Sequence, residues 1–209
     1  MTTPDKRLEP TPDRSLELYQ RIDDSDDSNF YSIERKVVHL EQGAIEALRK
    51  RYSELLPSGA RVLDLMSSWR SHLPGGLGEV IGLGMNAAEM EDNPQLGSFV
   101  IHDLNKDPTL PFAEGAFDAV VCAVSVQYLT RPLEVFTECR RVLRPGGVCV
   151  VSFSNRCFLI KAVRVWLATT DNGHRVLVRG YLEKTGFREV TDEEVPTPDD
   201  PLFLVHGVS

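Results

Sequence analysis

The sequence predicts an α/β domain of three α/β/α layers around a doubly wound sheet, mostly parallel and finished by an antiparallel terminal hairpin. Three observations predict it. Between Gln42 and Phe153, strand-like apolar runs alternate with segments of helical periodicity, which calls for a parallel sheet with helices on both faces. The runs Arg61–Leu65 and Phe117–Val124 are apolar with little alternation, as strands buried on both faces are. Near the end, Phe187–Val195 and Leu202–Val208 read as strands separated only by Pro196, Pro198, Asp199, Asp200 and Pro201, so they pair as a hairpin at the sheet edge. With 209 residues, 42% of them hydrophobic, a single well-buried domain is expected, over residues 30–209.

Residues 1–29 are rich in Asp, Pro, Thr and Arg, and the run Asp23-Asp24-Ser25-Asp26-Asp27-Ser28 offers nothing apolar to bury. They are expected to form a mobile acidic arm, with a short helix around Leu16–Tyr19. Phe30–Leu40 mixes aromatics, charges and a histidine without a clean period. A helix follows over Gln42–Leu56, with Ile45, Leu48, Leu55 and Leu56 on the helical repeat and Pro57-Ser58-Gly59 ending it. The first strand, Arg61–Leu65, leads through Ser67-Ser68-Trp69 to a short helical piece near Ser71–Leu73. The second, Glu79–Leu83, ends at Gly84, and Asn86 suits the cap of a helix reaching Asn93, before Pro94. Phe99–Ile101 is a short third strand, followed by His102-Asp103-Leu104-Asn105. Pro108, Pro111 and Gly115 mark a surface loop ahead of the fourth strand, Phe117–Val124. Pro132 opens a helix to Leu143, and Arg144-Pro145-Gly146-Gly147 turns the chain into the fifth strand, Val148–Phe153. A helix carrying Val163, Val165 and Trp166, and a second over His174–Thr185, precede the hairpin.

A formal net charge of -8 provides no general positive field, which argues against nucleic acid or an anionic membrane surface as partner. Four cysteines, Cys122, Cys139, Cys149 and Cys157, lack metal-ligand spacing and two lie in strand-like runs, so they read as reduced structural thiols and no metal site is expected. No apolar run approaches the ~18 residues of a membrane span, and the first residues lack a basic stretch followed by an apolar one. A soluble, cytoplasmic protein is expected.

In an open α/β sheet, ligands sit outside the carboxyl ends of the strands where strand order reverses, so the junction Leu65-Met66-Ser67-Ser68-Trp69 is the natural cofactor site. The segments Val62-Leu63-Asp64-Leu65, Gly82-Leu83-Gly84, His102-Asp103-Leu104, Leu110-Pro111-Phe112 with Phe117-Asp118-Ala119-Val120, and Arg141-Val142-Leu143-Arg144-Pro145-Gly146-Gly147 follow one another at suitable spacing. The series resembles the class I S-adenosylmethionine-dependent methyltransferases, specifically the type 11 branch, over about Ala44–Phe153 plus the terminal hairpin. Phe117–Gly147 is its most specific part. The resemblance implies a Rossmann-like methyltransferase fold, S-adenosyl-L-methionine as cofactor, and methyl transfer to a small-molecule acceptor.

Two positions depart from the family pattern. The first loop is usually glycine-rich, which lets the methionine part of the cofactor approach the backbone; here it is Met66-Ser67-Ser68-Trp69, which keeps small residues but gives up easy access to positive φ. The second strand usually ends in an acid that accepts from both ribose hydroxyls; here Gly84 stands there, with Asn86 two residues on as a ribose partner or a helix cap.

By resemblance, Asp64 faces the amino group of the cofactor, Asp103 with the Leu104 amide reads the adenine edge, and Ala123 meets the methionine part. Met66, Ser67, Ser68, Gly84, Met85 and Asn86 complete the expected cofactor set, Met85 against the adenine face. Each has a plain alternative: Asp64 bonding loop amides, Asp103 capping its own loop, Met85 in the core. Tyr31, Arg35 and His39 lie where a lid is often found, and with Ser125, Gln127, Tyr128, Asn155 and Arg156 they are candidates for the acceptor wall. His39 is also a candidate base, although a lone histidine is more often structural. Because the sulfonium is itself the electrophile, no dedicated catalytic residue is required. The alternatives are an inactive S-adenosylmethionine-binding or regulatory protein on the same fold and, disfavoured by the absence of GxGxxG, a nicotinamide dehydrogenase. Deletion of the residues before Phe30 is expected to leave cofactor affinity intact, and deletion through Leu40 to lower it. The sequence leaves oligomeric state and acceptor open.

Overall fold

Strand β1, Val62–Leu65, is buried at every residue, and the sheet extends from it in both directions. The structure, a computed structural model, describes residues 17–209. Toward one edge lie β2 (Val80–Gly84) and β3 (Ser98–Ile101); toward the other lie β4 (Phe117–Ala123), β5 (Leu143–Phe153), β7 (Leu202–Val208) and β6 (Arg188–Val195), giving the order β3-β2-β1-β4-β5-β7-β6. β1 to β5 are parallel, and β7 runs antiparallel to both its neighbours. The chain steps from β1 to β2 on one side and returns to β4 on the other, so the strand-order reversal falls between β1 and β4, at the carboxyl ends where a crevice opens.

Helix α2, Gln42–Leu55, covers one face through Ala44, Leu48 and Tyr52, one turn apart. On the other face α4 (Pro132–Val142) packs on β5 and α6 (Asp171–Lys184) on β6 and β7, burying Val135, Phe136, Cys139, Val178, Tyr181 and Leu182. Smaller helices, α1 (Asp27–Tyr31), α3 (Ala87–Glu91) and α5 (Arg164–Leu167), lie between these elements. Among the described residues no helix is long and apolar enough to cross a membrane.

Several elements differ from their expected form. No helix forms near Ser71–Leu73, because the Ser71 hydroxyl is bound to Asp64 and His72 takes φ 55°. β5 starts at Leu143, not Val148: Leu143 pairs with Phe117 and the register shifts before Ala119 meets Val148, so the Arg144–Gly147 turn is drawn into the sheet edge. α6 starts at Asp171, with Thr170 as its cap.

The acidic segment ahead of Phe30 is held against the domain from Gln20 onward. The Gln20 carbonyl accepts from the Arg164 amide at 2.8 Å and the Asp23 amide donates to the Ile160 carbonyl at 2.9 Å. Lys161, fully buried, pairs with Asp23 at 2.9 Å and Asp27 at 3.0 Å, and Arg21 reaches Asp27 at 2.8 Å. The run has no apolar surface to bury, yet Asp27 is only 3% exposed because Arg21 and Lys161 supply the opposite charges. Residues 1–16 of the expected arm, with Leu16 of its short helix, lie outside the described residues.

Candidate functional site

The loop after β1 makes its turn at Met66, which takes φ 57°, a left-handed conformation costly for any residue but glycine. That turn lays the Ser67 carbonyl against the end of β2: a Cβ on Gly84 would sit 2.3 Å from the carbonyl oxygen and 3.1 Å from Met90 Sδ. The two departures from the family pattern are therefore one: with this loop, no side chain fits where the ribose-binding acid usually stands. The Ser67 amide donates to the Leu83 carbonyl at 2.8 Å, pinning loop to strand.

Inside the loop, Asp64 is 2% exposed and both Ser67 and Ser71 donate their hydroxyls to its Oδ2 at 2.6 Å. Burial pushes its carboxyl up to about 6, against the downward pull of the two hydroxyls. Asn93 closes the loop from behind, donating to the Ser68 carbonyl and the Ser71 hydroxyl at 2.8 Å.

A strap, residues 31–39, crosses above. Asn86 donates to the Tyr31 carbonyl at 2.9 Å, the Arg35 amide donates to Glu89 Oε1 at 2.5 Å, Trp69 Nε1 donates to the Val37 carbonyl at 3.2 Å, and Lys36 pairs with Asp92. The Ser68 hydroxyl donates to the other oxygen of Glu89, also at 2.5 Å. Trp69 thus holds the strap at the rim.

Between strap and strand ends lies a cavity open to solvent at its mouth. Asp64, Met66, Ser67, Ser68, Gly84, Met85, Asn86, Asp103, Leu104 and Ala123, the whole expected cofactor set, line it. Asp103 Oδ1 caps its own loop, accepting from the amides of Asn105 and Lys106 at 2.9 and 3.3 Å, whereas its Oδ2 is buried with no hydrogen-bond partner, the exposed Lys106 ammonium standing 4.0 Å away. Such an orphan is costly unless a ligand donor meets it. Asn86 is fully engaged: its oxygen caps the Glu89 amide at 3.1 Å while its nitrogen holds the strap. Of the two roles expected for it, the cap is the one seen.

Of the acceptor candidates, Tyr31, Arg35, His39, Ser125 and Tyr128 line the cavity. Gln127, Asn155 and Arg156 do not: Gln127 turns back to donate to the Val124 carbonyl at 2.9 Å, Arg156 is drawn off by Glu41 and Asp200 at 2.8 and 2.6 Å, and Asn155 is exposed beside it. Arg35 lies over the Phe30 ring, 3.9 Å from its centroid, and donates to the carbonyls of Phe30 and Ile33. His39 meets the Phe158 ring edge-on at 4.7 Å; burial, aided by Arg156, lowers its pKa and keeps it neutral near pH 7. Tyr128 stacks on Phe158 at 6.1 Å, and its hydroxyl accepts from the Phe158 amide. Burial raises the Cys157 thiol, which removes it as a nucleophile.

Asp27, Glu89 and Phe158 also line the cavity, and sequence reasoning missed all three as site residues. Asp27 sits in the run read as a loose arm. Glu89 stands three residues after Asn86, so it looks like the second half of a capping box, but its side chain reaches the loop and the strap instead.

Residues 74–151 match the family model described as a methyltransferase domain. The ubiquinone/menaquinone biosynthesis C-methyltransferase UbiE of Pseudomonas aeruginosa is 32% identical over 163 residues, which are 65% of this chain; the chain spans 62% of that enzyme's length. Among solved structures, an S-adenosylmethionine-dependent methyltransferase from Mesorhizobium loti superposes with a TM-score of 0.57 at 18% identity, covering 78% of this chain and 98% of that one. The cyclase SpnF superposes at 0.58 with 14% identity, covering 86% of each chain. Both structural likenesses speak to the fold alone.

Proposed function

We propose that the chain is a class I S-adenosylmethionine-dependent methyltransferase of the type 11 branch and that it transfers a methyl group from S-adenosylmethionine to a small-molecule acceptor, a reading supported by the match over residues 74–151 and by its relatives. The observation that carries the reading is the buried Asp103 Oδ2, without a hydrogen bond and with only the Lys106 ammonium at 4.0 Å, in the wall of a cavity at the strand-order reversal, the kind of acceptor an adenine amine satisfies. When bound, the cofactor supplies the electrophilic methyl on its sulfonium. Asp103 and the Leu104 amide would hold the adenine edge, with Met85 on its face. Asp64, whose two serine donors both go to Oδ2, keeps Oδ1 for the positive amino group, and the Ser68 amide would take the carboxylate. Ala123 would floor the methionine part.

The acceptor end is aromatic, formed by Tyr31, Tyr128 and Phe158 with the neutral His39, and Arg35 is spent on backbone carbonyls and the Phe30 ring. That wall suits an acceptor that is uncharged at the reacting end, apolar or aromatic, with His39 taking the proton its nucleophile releases. Four free cysteines accord with the expected cytoplasmic location.

The second reading, a binding or regulatory protein on the same fold, is favoured by one observation: the first loop lacks the glycines of the family pattern, and the end of β2 has neither its ribose acid nor room for one. Calorimetric titration separates cofactor classes: S-adenosylhomocysteine is expected to bind and a nicotinamide dinucleotide is not. Incubation with methyl-labelled S-adenosylmethionine and a small-molecule extract then separates enzyme from relic, label in a small molecule supporting transfer and binding without any transferred label favouring the second reading.

A further inference from the structure

Glu89 is a carboxylate only 8% exposed, in the cavity wall, with no lysine or arginine at ion-pair distance among the described residues. A buried carboxylate in a cavity wall, bonded by only one amide and one hydroxyl, is placed to meet the donors of a ligand. Each of its oxygens accepts one hydrogen bond, Oε1 from the Arg35 amide and Oε2 from the Ser68 hydroxyl, and a carboxylate oxygen has room for two. Two acceptor positions are thus left, one per oxygen.

Resting on the reading of this cavity as an S-adenosylmethionine site, we propose that Glu89 accepts from both ribose hydroxyls of the cofactor and, through the Arg35 amide, locks the strap over it. A vicinal diol offers two adjacent donors, and one carboxylate with an open position on each oxygen matches them. No other carboxylate of the wall offers an open position on both oxygens. Gly84 has no side chain and no room for one, and Asn86 is spent on the Tyr31 carbonyl and the Glu89 amide. Asp64 and Asp103 each have one oxygen taken by local donors, and Asp27 is held by Arg21, Lys161 and Asn105. Because Glu89 touches ribose, loop and strap at once, cofactor occupancy and strap closure become one event, and the acceptor, whose wall includes Tyr31 and His39 on the strap, enters after the cofactor.

Adenosine and 2′,3′-dideoxyadenosine, competed against S-adenosylhomocysteine, test the assignment. The wild-type protein is expected to prefer adenosine by about tenfold or more, the effect of hydrogen bonds to a charged acceptor. E89Q should weaken S-adenosylhomocysteine binding by about tenfold and erase that preference, while D103N weakens both nucleosides and leaves their ratio intact. Hydrogen exchange gives a readout that needs no variant: adenosine should protect the Arg35 amide in the wild-type protein, and the dideoxynucleoside should not. An E89Q protein that keeps the preference, or equal protection by both nucleosides, overturns the role of Glu89 alone. Wild-type protein that fails to bind S-adenosylhomocysteine overturns the cofactor reading, and this assignment with it.

Discussion

Asp64 shows the cost of burying an acid at the scale of one residue. Its carboxyl is buried against two serine hydroxyls with no cation beside it, so burial raises its folded pKa above the ordinary carboxylate range to about 6. A raised folded pKa means that the folded state holds the proton more tightly than the unfolded one. This favours folding below about pH 4 and is lost as pH rises through 6, leaving ionised Asp64 to cost about 3 kcal/mol at neutral pH. D64N, which keeps an acceptor for Ser67 and Ser71, is expected to stabilise the protein at pH 7.5 by up to that amount and far less at pH 4.5, while weakening S-adenosylmethionine binding. Urea midpoints at the two pH values check it, and equal differences between the proteins would contradict the burial argument. Gly84 makes the complementary point. Adding a Cβ there forces it against the Ser67 carbonyl, so G84A should lose about 1–3 kcal/mol in thermal melting, and G84D, which restores the family's acid, should fail to improve cofactor affinity. That Asp64 and Asp103 line the cavity was legible because each stands at the carboxyl end of a parallel strand, where an open α/β sheet leaves its crevice. Glu89 was not, because its spacing from Asn86 matches an ordinary helix cap.

At the scale of elements, the strands and longer helices were legible because burial on a sheet imposes a period on the sequence, as at Ala44, Leu48 and Tyr52. Pieces held by distant polar contacts carry no such period. The stretch Ser71–Leu73 is fixed by Asp64 and Asn93, and the Leu143 pairing depends on a bulge beside Asp118. The acidic segment shows this most clearly, since its partner Lys161 lies 138 residues beyond Asp23. Removal of residues 1–29 takes away Arg21, Asp23 and Asp27 and leaves a fully buried ammonium unpaired, at a cost of about 3–5 kcal/mol. That truncation is expected to lower both the melting temperature and cofactor affinity, contrary to the expectation for a loose arm, and K161M in the truncated protein should recover much of the stability. A truncated protein as stable as the full chain would show that the ion cluster contributes nothing.

At the scale of the molecule, a doubly wound sheet puts the carboxyl ends of β1 to β4 on one rim and leaves the strand-order reversal open above them. The loop after β1 reshapes that rim, the strap closes it, and the buried Arg21–Asp27–Lys161 cluster anchors the chain that leads into the strap. The sheet and rim follow from apolar pattern; the closure follows from polar contacts between remote segments, which one sequence does not display. The central claim is that this rim holds an adenosyl cofactor with Asp103 Oδ2 as an acceptor. Its most direct test is the calorimetric dissociation constant of S-adenosylhomocysteine for the wild-type protein and for D103N, which keeps the loop cap and replaces the orphan acceptor with a donor. The account predicts one-to-one binding weakened about tenfold or more by the substitution; no binding, or the same affinity in both proteins, would contradict it.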